Sequence, residues 1–391
     1  MSMKIANVET FYFYPGCAKN LVFVKITTDD GVYGWGEAYS GKNNREKIAG
    51  AYIEAIKPCI LGREVTELNH LGVTLFDEVS IRRSGGDYLS AWSAVEIALW
   101  DILGKYAKMP VYNMLGGKYR DWIRVYANGW WHGSKDPEEL CERAKKVKEL
   151  GYTCIKFDPF FGPWRNYIGR QREDLGVKTV QLVREALGPD MDLMIEFHRR
   201  LSPENAIHFY NRIKEFNPYL VEEPCLSDNV ELVAKAKRGI DCNVVSGETL
   251  YTLADFQRLF QANACDIINP DTCAAGGITG MLAIASLASV HSIQFSPHNW
   301  NSSIVGLAAT ATIGAIAPNF SIAEQFINVI DACNEIAIKC PKIENGWIKM
   351  GDEPGLGVDI DVAAMEKHPY HAMKSTVLST TDWEFPNPNN Y

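Results

Sequence analysis

MDLMIE (191–196), PYLVE (218–222) and NVVSGE (243–248) are three short apolar runs, each closed by a glutamate. Glu196, Glu222 and Glu248 stand 26 residues apart. A strand, a helix and two loops occupy about that length, and a repeat at such a pitch is the mark of stacked supersecondary units. In a parallel barrel the C-terminal strand ends meet on one rim, where such folds carry their chemistry. Three carboxylates delivered there converge, and like charges held together are costly unless a cation neutralises them. The spacing therefore points to a divalent metal site.

The pitch continues outward. Asp271 follows CDIINP, His298 follows SIQFSP and Glu324 follows FSIA, at steps of 23, 27 and 26. Strand candidates fall at 123–128, 153–157, 191–196, 219–222, 243–246, 265–269, 293–296 and 320–323, with helical runs at 137–150, 173–187, 203–216, 228–238, 252–262, 276–290 and 302–315. Asp136-Pro137, Ser202-Pro203 and Thr252 are helix-start signals. Eight strands alternating with helices predict a closed parallel α/β barrel over 121–350. A single acid at a strand end is usually a cap or a surface charge. Six ionisable residues in phase are not explained that way.

Residues 1–120 follow another grammar, with strands first and helices after, which predicts an α+β domain. Residues 3–14 and 21–36 read as strands, with Asp30-Gly31 as a hairpin turn. Helical patterns follow at 43–57, 66–79 and 88–108, the last apolar on most faces and so expected to be buried. The stretch 158–172 is longer and more aromatic than a usual βα loop and reads as a lid or a surface insertion. After 350 the chain leaves the repeat and ends in a Pro/Asn-rich tail, 351–391 being the C-terminal segment, with poor order expected at its tip.

Composition narrows the class. A net charge of −9 argues against a general nucleic-acid surface. The run 304–318 is too short to span a bilayer, so no membrane partner is expected. The opening MSMKIANVETFYF alternates like a strand and carries no signal-peptide pattern, and ten cysteines without a CxxC pair fit reduced thiols. Together these predict a cytoplasmic protein.

Roles follow from residue type. Glu196, Glu222 and Glu248 are hard oxygen donors suited to one Mg²⁺. Asp271 and His298, from adjacent strands, suit a carboxylate–imidazole dyad in which the histidine accepts a proton. His198 lies two residues beyond Glu196, and strand alternation puts both on one face. The bland alternative for it is a buried, hydrogen-bonded histidine. Glu223 should face away and be structural. Lys156 closes CIKF as a base or a substrate-carboxylate ligand. Asp158 shares its face and either meets substrate or pairs with Lys156. His132, in WWHGS (130–134), either touches substrate or packs with Trp130 and Trp131. His70, His208, His291, His368 and His371 read as structural. The glycine pair of CAAGGITG (273–280) lacks the lysine of a phosphate loop and suits close helix packing.

With these residues in place, the chain resembles the enolase superfamily, mandelate racemase subgroup, and within it the acid-sugar dehydratases of galactonate and gluconate type. The likeness runs through DGVYGWGEA (30–38), SAVEIALWDILGK (93–105), MPVYNMLGG (109–117), VEEP (221–224), GETLYT (247–252), NPDTCAAGGIT (269–279), SPH (296–298), AEQ (323–325) and PGLGVDID (354–361). It implies a (β/α)7β TIM-like barrel with an α+β capping domain completed by the C-terminal segment, and a homo-oligomer. It implies Mg²⁺ on Glu196, Glu222 and Glu248, the dyad Asp271–His298, His198 as second acid/base, and Glu324 as a hydrogen-bond partner of the intermediate. Loops at 14–20 and 39–47 would shape substrate choice, with Tyr14 and Trp300 as further candidate substrate contacts.

Two departures matter. The first metal ligand is commonly Asp and here is Glu196. Racemases carry Lys-x-Lys where this chain has Lys156-Phe157-Asp158, which disfavours two-sided proton exchange. The expected activity is dehydration of a small aldonate or aldarate to a 2-keto-3-deoxy acid. The alternatives are an epimerase, racemase or cycloisomerase, or a non-catalytic metal-binding barrel.

Overall fold

The computed structural model of the chain describes residues 3–17, 19–42, 44–134, 136–160, 169–300 and 302–373. Most of the segment read as a lid and the tail tip beyond 373 lie outside the described residues.

Strands β1 (Ile5–Phe13), β2 (Leu21–Thr28) and β3 (Tyr33–Ala38) form an antiparallel meander. Its turn is the expected one: Gly31 has φ 88° and donates its N–H to Thr28 O at 3.0 Å. Helices α1 (Glu46–Ile60), α2 (Leu68–Glu78) and α3 (Gly86–Ala107) cover the sheet. Helix α3 is buried along most of its length, as its apolar pattern predicts. It can lie close against β3 because Gly36 has no side chain, where a Cβ would sit 1.8 Å from Ala94 O.

A four-residue helix, α4 (Val111–Met114), leads to the barrel. Its strands are β4 (Trp122–Asn128), β5 (Cys154–Phe157), β6 (Asp192–Glu196), β7 (Leu220–Glu222), β8 (Asn243–Ser246), β9 (Ile267–Ile268), β10 (Gln294–Phe295) and β11 (Ala323–Phe326). All neighbours pair in parallel, and β11 closes the ring on β4. Helices α5 (Pro137–Glu149), α6 (Arg170–Leu187), α7 (Pro203–Ile213), α8 (Val230–Lys237), α9 (Leu253–Gln261), α10 (Gly277–Val290) and α11 (Ile304–Ile316) make the outer ring. Asp136, Ser202 and Thr252 cap α5, α7 and α9 as expected, each cap stabilising by about 1 kcal/mol.

The last strand departs from expectation. Phe320, placed by sequence in the strand, makes only an isolated bridge to Phe295, and the ladder with β4 begins at Ala323. Glu324 therefore lies inside a strand and not beyond its end.

After the barrel the chain returns to its beginning. Leu356 N donates to Asp101 Oδ1 at 2.9 Å, and Asp359 accepts from the Tyr33 hydroxyl at 2.9 Å and Trp35 Nε1 at 3.0 Å. Among the described residues no helix is long and apolar enough to cross a membrane.

Candidate active site

Register brings the carboxylates together. Glu196 and Glu222 are direct partners across β6 and β7. Glu248 lies two residues beyond β8, after a bend at Gly247 with φ 138°. One oxygen from each of the three lies within 4.8 Å of the others. All three side chains are buried or nearly so, at 3%, 2% and 9% exposed. Burying three acids together makes sense only beside positive charge. Burial first, then neighbouring acids, pushes the Glu222 carboxyl well above the usual range and Glu196 to about 7. For Glu248 burial is outweighed by Arg199, then His298, which hold it below the carboxylate range. Hard oxygen donors at this separation, on rigid strand ends, fit a divalent cation of the Mg²⁺ type.

Lys156 points into the same cluster. Its ammonium pairs with Glu222, lies 2.8 Å from Glu324 Oε1 and 3.7 Å from Glu196 Oε2, and is 5.2 Å from the Tyr126 ring. Burial opposes its charge, but Glu222, then Glu324, outweigh it and raise its pKa well above normal.

The dyad is formed. Asp271 and His298 bridge in parallel beyond β9 and β10, with His298 Nδ1 2.7 Å from Asp271 Oδ2. His298 Nε2 faces Glu248 Oε2 at 3.4 Å and Glu324 Oε2 at 3.8 Å. Burial lowers the imidazole pKa, but Glu248 and the Asp271 hydrogen bond override it and bring it to about 9. Glu324 accepts from Asn128 Nδ2 at 2.7 Å and Asn299 N at 2.8 Å.

His198 also reaches the cluster, though not by strand alternation. The strand ends at Glu196, and His198 and Arg199 have φ of 48° and 59°. That left-handed turn lets His198 N donate to Glu196 Oε1 at 2.6 Å. Asp158 does not pair with Lys156, contrary to one of the two sequence readings. Strand β5 ends at Phe157, so alternation stops, and the carboxylate turns to His198 Nδ1 at 2.7 Å and to Arg200. Glu223 is buried, accepting from Gly247 N at 2.8 Å and Ser246 Oγ at 3.2 Å, and its charge is felt by Arg199 and Glu248.

The candidate substrate contacts are scattered more widely. His132 packs edge-on to Trp131 at 4.4 Å and meets Asn328 Nδ2 at 3.4 Å, and burial, then Lys42, brings its pKa down to about 4. Trp300 leans on Tyr39 at 5.9 Å, whose ring is 6.3 Å from that of His298. Tyr14 stacks on His371 at 4.7 Å, against the returning C-terminal segment. Sequence reasoning missed Arg199, which pairs with Glu248, and Arg200. Two adjacent arginines directly after a strand-end histidine, in a chain of net charge −9, were the available signal.

A barrel of seven βα units and a final strand, capped by an α+β domain and carrying at its strand ends three acids that could hold a metal ion, defines a class of barrel enzymes. The model of the family described as mandelate racemase / muconate lactonizing enzyme, N-terminal domain, matches residues 16–116, and that described as enolase C-terminal domain-like matches 139–364. The chain belongs to the enolase superfamily, in its mandelate racemase / muconate lactonizing enzyme family. It is similar to the D-gluconate dehydratase of Thermoproteus tenax, at 30% identity over 348 residues, covering 89% of this chain and 69% of that protein. The D-gluconate/D-galactonate dehydratase of Picrophilus torridus is 35% identical over 295 residues, 75% of each chain. Among solved structures, the 3,6-anhydro-D-galactonate cycloisomerase of Zobellia galactanivorans superposes with a TM-score of 0.85 at 29% identity, covering 93% of this chain and 99% of that one.

Proposed function

We propose that the protein is a Mg²⁺-dependent dehydratase of a sugar acid, an aldonate or aldarate. One observation carries the reading: two histidines stand at the carboxylate cluster, the His298 ring 3.4 Å from Glu248, and His198 with its backbone N–H on Glu196 and its ring close enough to act on the charge of Glu248. Mere metal binding needs neither. When bound by Glu196, Glu222 and Glu248, Mg²⁺ would supply positive charge for the substrate carboxylate as the α-proton leaves.

His298 Nε2, its ring fixed by Asp271, takes the proton from the carbon next to the carboxylate, a role typically contributing about 10²–10⁴-fold. His198 gives a proton to the 3-hydroxyl, which departs as water. The remaining enol tautomerises to a 2-keto-3-deoxy acid. Lys156 and Glu324 line the same cluster, where the ammonium would meet negative charge on the substrate. Trp300, Tyr14 and His132 are candidates for reading the distal hydroxyls. Relatives named as gluconate and galactonate dehydratases support this reading.

A cycloisomerase is the second reading, favoured by the likeness to the Zobellia enzyme. It shares proton abstraction but keeps the substrate's mass. A panel of aldonic and aldaric acids, incubated with Mg²⁺ and assayed for 2-keto acid and for loss of one water by mass, separates the two. No dehydrated product from any acid sinks the proposal. The same reading has the protein in the cytoplasm as a homo-oligomer, the latter testable by light scattering.

A further inference from the structure

Two residues past β6 the chain makes an unusual turn. His198 and Arg199 both adopt left-handed backbone, at φ 48° and 59°. Side chains avoid that region, so neighbouring contacts must hold it. Arg199 N donates to Glu223 O at 2.8 Å, and Arg200 N to Phe197 O at 3.2 Å.

The turn places two side chains on one carboxylate. Asp158 is 1% exposed, and Arg200, also buried, wraps it. Arg200 Nη1 donates to Asp158 Oδ1 at 3.2 Å and to Phe160 O at 3.1 Å, Nη2 donates to Oδ2, and the guanidinium lies 5.0 Å from the Phe160 ring. Phe160 N adds a donor to Oδ1 at 2.7 Å. The remaining direction is taken by His198 Nδ1, 2.7 Å from Oδ2.

We propose that Asp158, clamped by Arg200, is the positioning residue for His198, making a second carboxylate–imidazole pair opposite Asp271–His298. An ionised carboxylate only accepts, so Nδ1 must carry the proton and Nε2 becomes the nitrogen that exchanges one. This rests on the dehydratase reading and deepens it. The two pairs divide the work: one serves the α-carbon, the other the leaving hydroxyl. A carboxylate held by Arg200 offers no second base to the α-carbon but fixes the ring that assists departure.

The test is the partition between exchange and elimination. In deuterated water with Mg²⁺ and an aldonate that the wild type dehydrates, Asp158→Asn should lose dehydration by about 10²-fold or more, while deuterium still enters the α-position. The exchange-to-dehydration ratio rises accordingly. A fall in that ratio supports the same pair with the histidine roles exchanged. An unchanged ratio, or a rise in KM alone, overturns the proposal and makes Asp158 structural or a substrate ligand. Adding Asp158→Asn to His198→Asn should cost nothing further, and an additional loss also overturns it. If the wild type neither exchanges nor dehydrates any acid, the dehydratase reading fails separately. The pairing is then decided by ¹⁵N shifts of labelled histidine, with His198 protonated at Nδ1 in the wild type and altered in Asp158→Asn. An unaltered His198 signal overturns it.

Discussion

Lys156 Nζ lies 2.8 Å from Glu324 Oε1 while also pairing with Glu222, so one ammonium ties together acids from opposite sides of the barrel. Both partners are almost fully buried. Removing the cation leaves those acids uncompensated, which typically costs about 3–5 kcal/mol for a broken buried pair. Lys156→Met should therefore lower stability by that order in chemical denaturation without Mg²⁺, and added Mg²⁺ should restore part of the loss. Unchanged denaturation would remove Lys156 from the charge balance of the cluster.

Metal binding should release protons, from the raised carboxyls of Glu196 and Glu222 and from His298. His298 is held at about 9 chiefly by Glu248 against the opposing effect of burial. A raised histidine pKa contributes stability that is complete below the unfolded value of about 6.5 and disappears as pH rises through the folded one. Mg²⁺ held by Glu248 would offset the field that keeps the imidazole charged. Between about pH 7 and 9, Mg²⁺ affinity should rise with pH, and the metal-free protein should lose stability over the same window. Calorimetry in buffers of different ionisation enthalpy measures the proton count directly.

His298→Asn should abolish incorporation of solvent deuterium at the α-carbon of a substrate acid and lower dehydration by about 10²–10⁴-fold. NMR of recovered substrate reads the exchange. Persistent exchange would move proton abstraction to another group.

Glu96 joins the capping domain to the barrel. Its carboxylate accepts from Ile278 N at 2.8 Å, Thr279 N at 2.9 Å and Trp100 Nε1 at 2.8 Å, at the start of α10. Glu96→Ala takes the acceptor from the N–H groups of Ile278 and Thr279, at about 1–3 kcal/mol for a lost group, while Trp100 Nε1 keeps Thr279 Oγ1 at 3.1 Å. The melting temperature should fall with little change in Mg²⁺ affinity.

Much of this was legible in sequence because a barrel repeats itself. A regular pitch places Glu196, Glu222, Glu248, Asp271 and His298 without knowledge of any contact, and all of them meet around one cluster. Alternation was less dependable. It holds only while a strand lasts, and β5 and β6 end at Phe157 and Glu196. Asp158 and His198 lie just past those ends, so their partners depended on a left-handed turn that residue type does not announce. Arg199 and Arg200 were hidden for the same reason. Glu324 was found by pitch although its strand was placed too early, because the pairing shifts there from β10 to β4.

The contacts of Asp359 with Tyr33 and Trp35, and of Leu356 with Asp101, set an order of events during synthesis. Domains generally fold as units while the chain emerges, the earliest first. Here the opening sheet leaves the ribosome long before the segment that seals Trp35, and the barrel is translated in between. A purified chain ending at residue 350 should hold its barrel yet leave Trp35 open to quenchers. The first sheet of the chain is thus sealed only by its last segment.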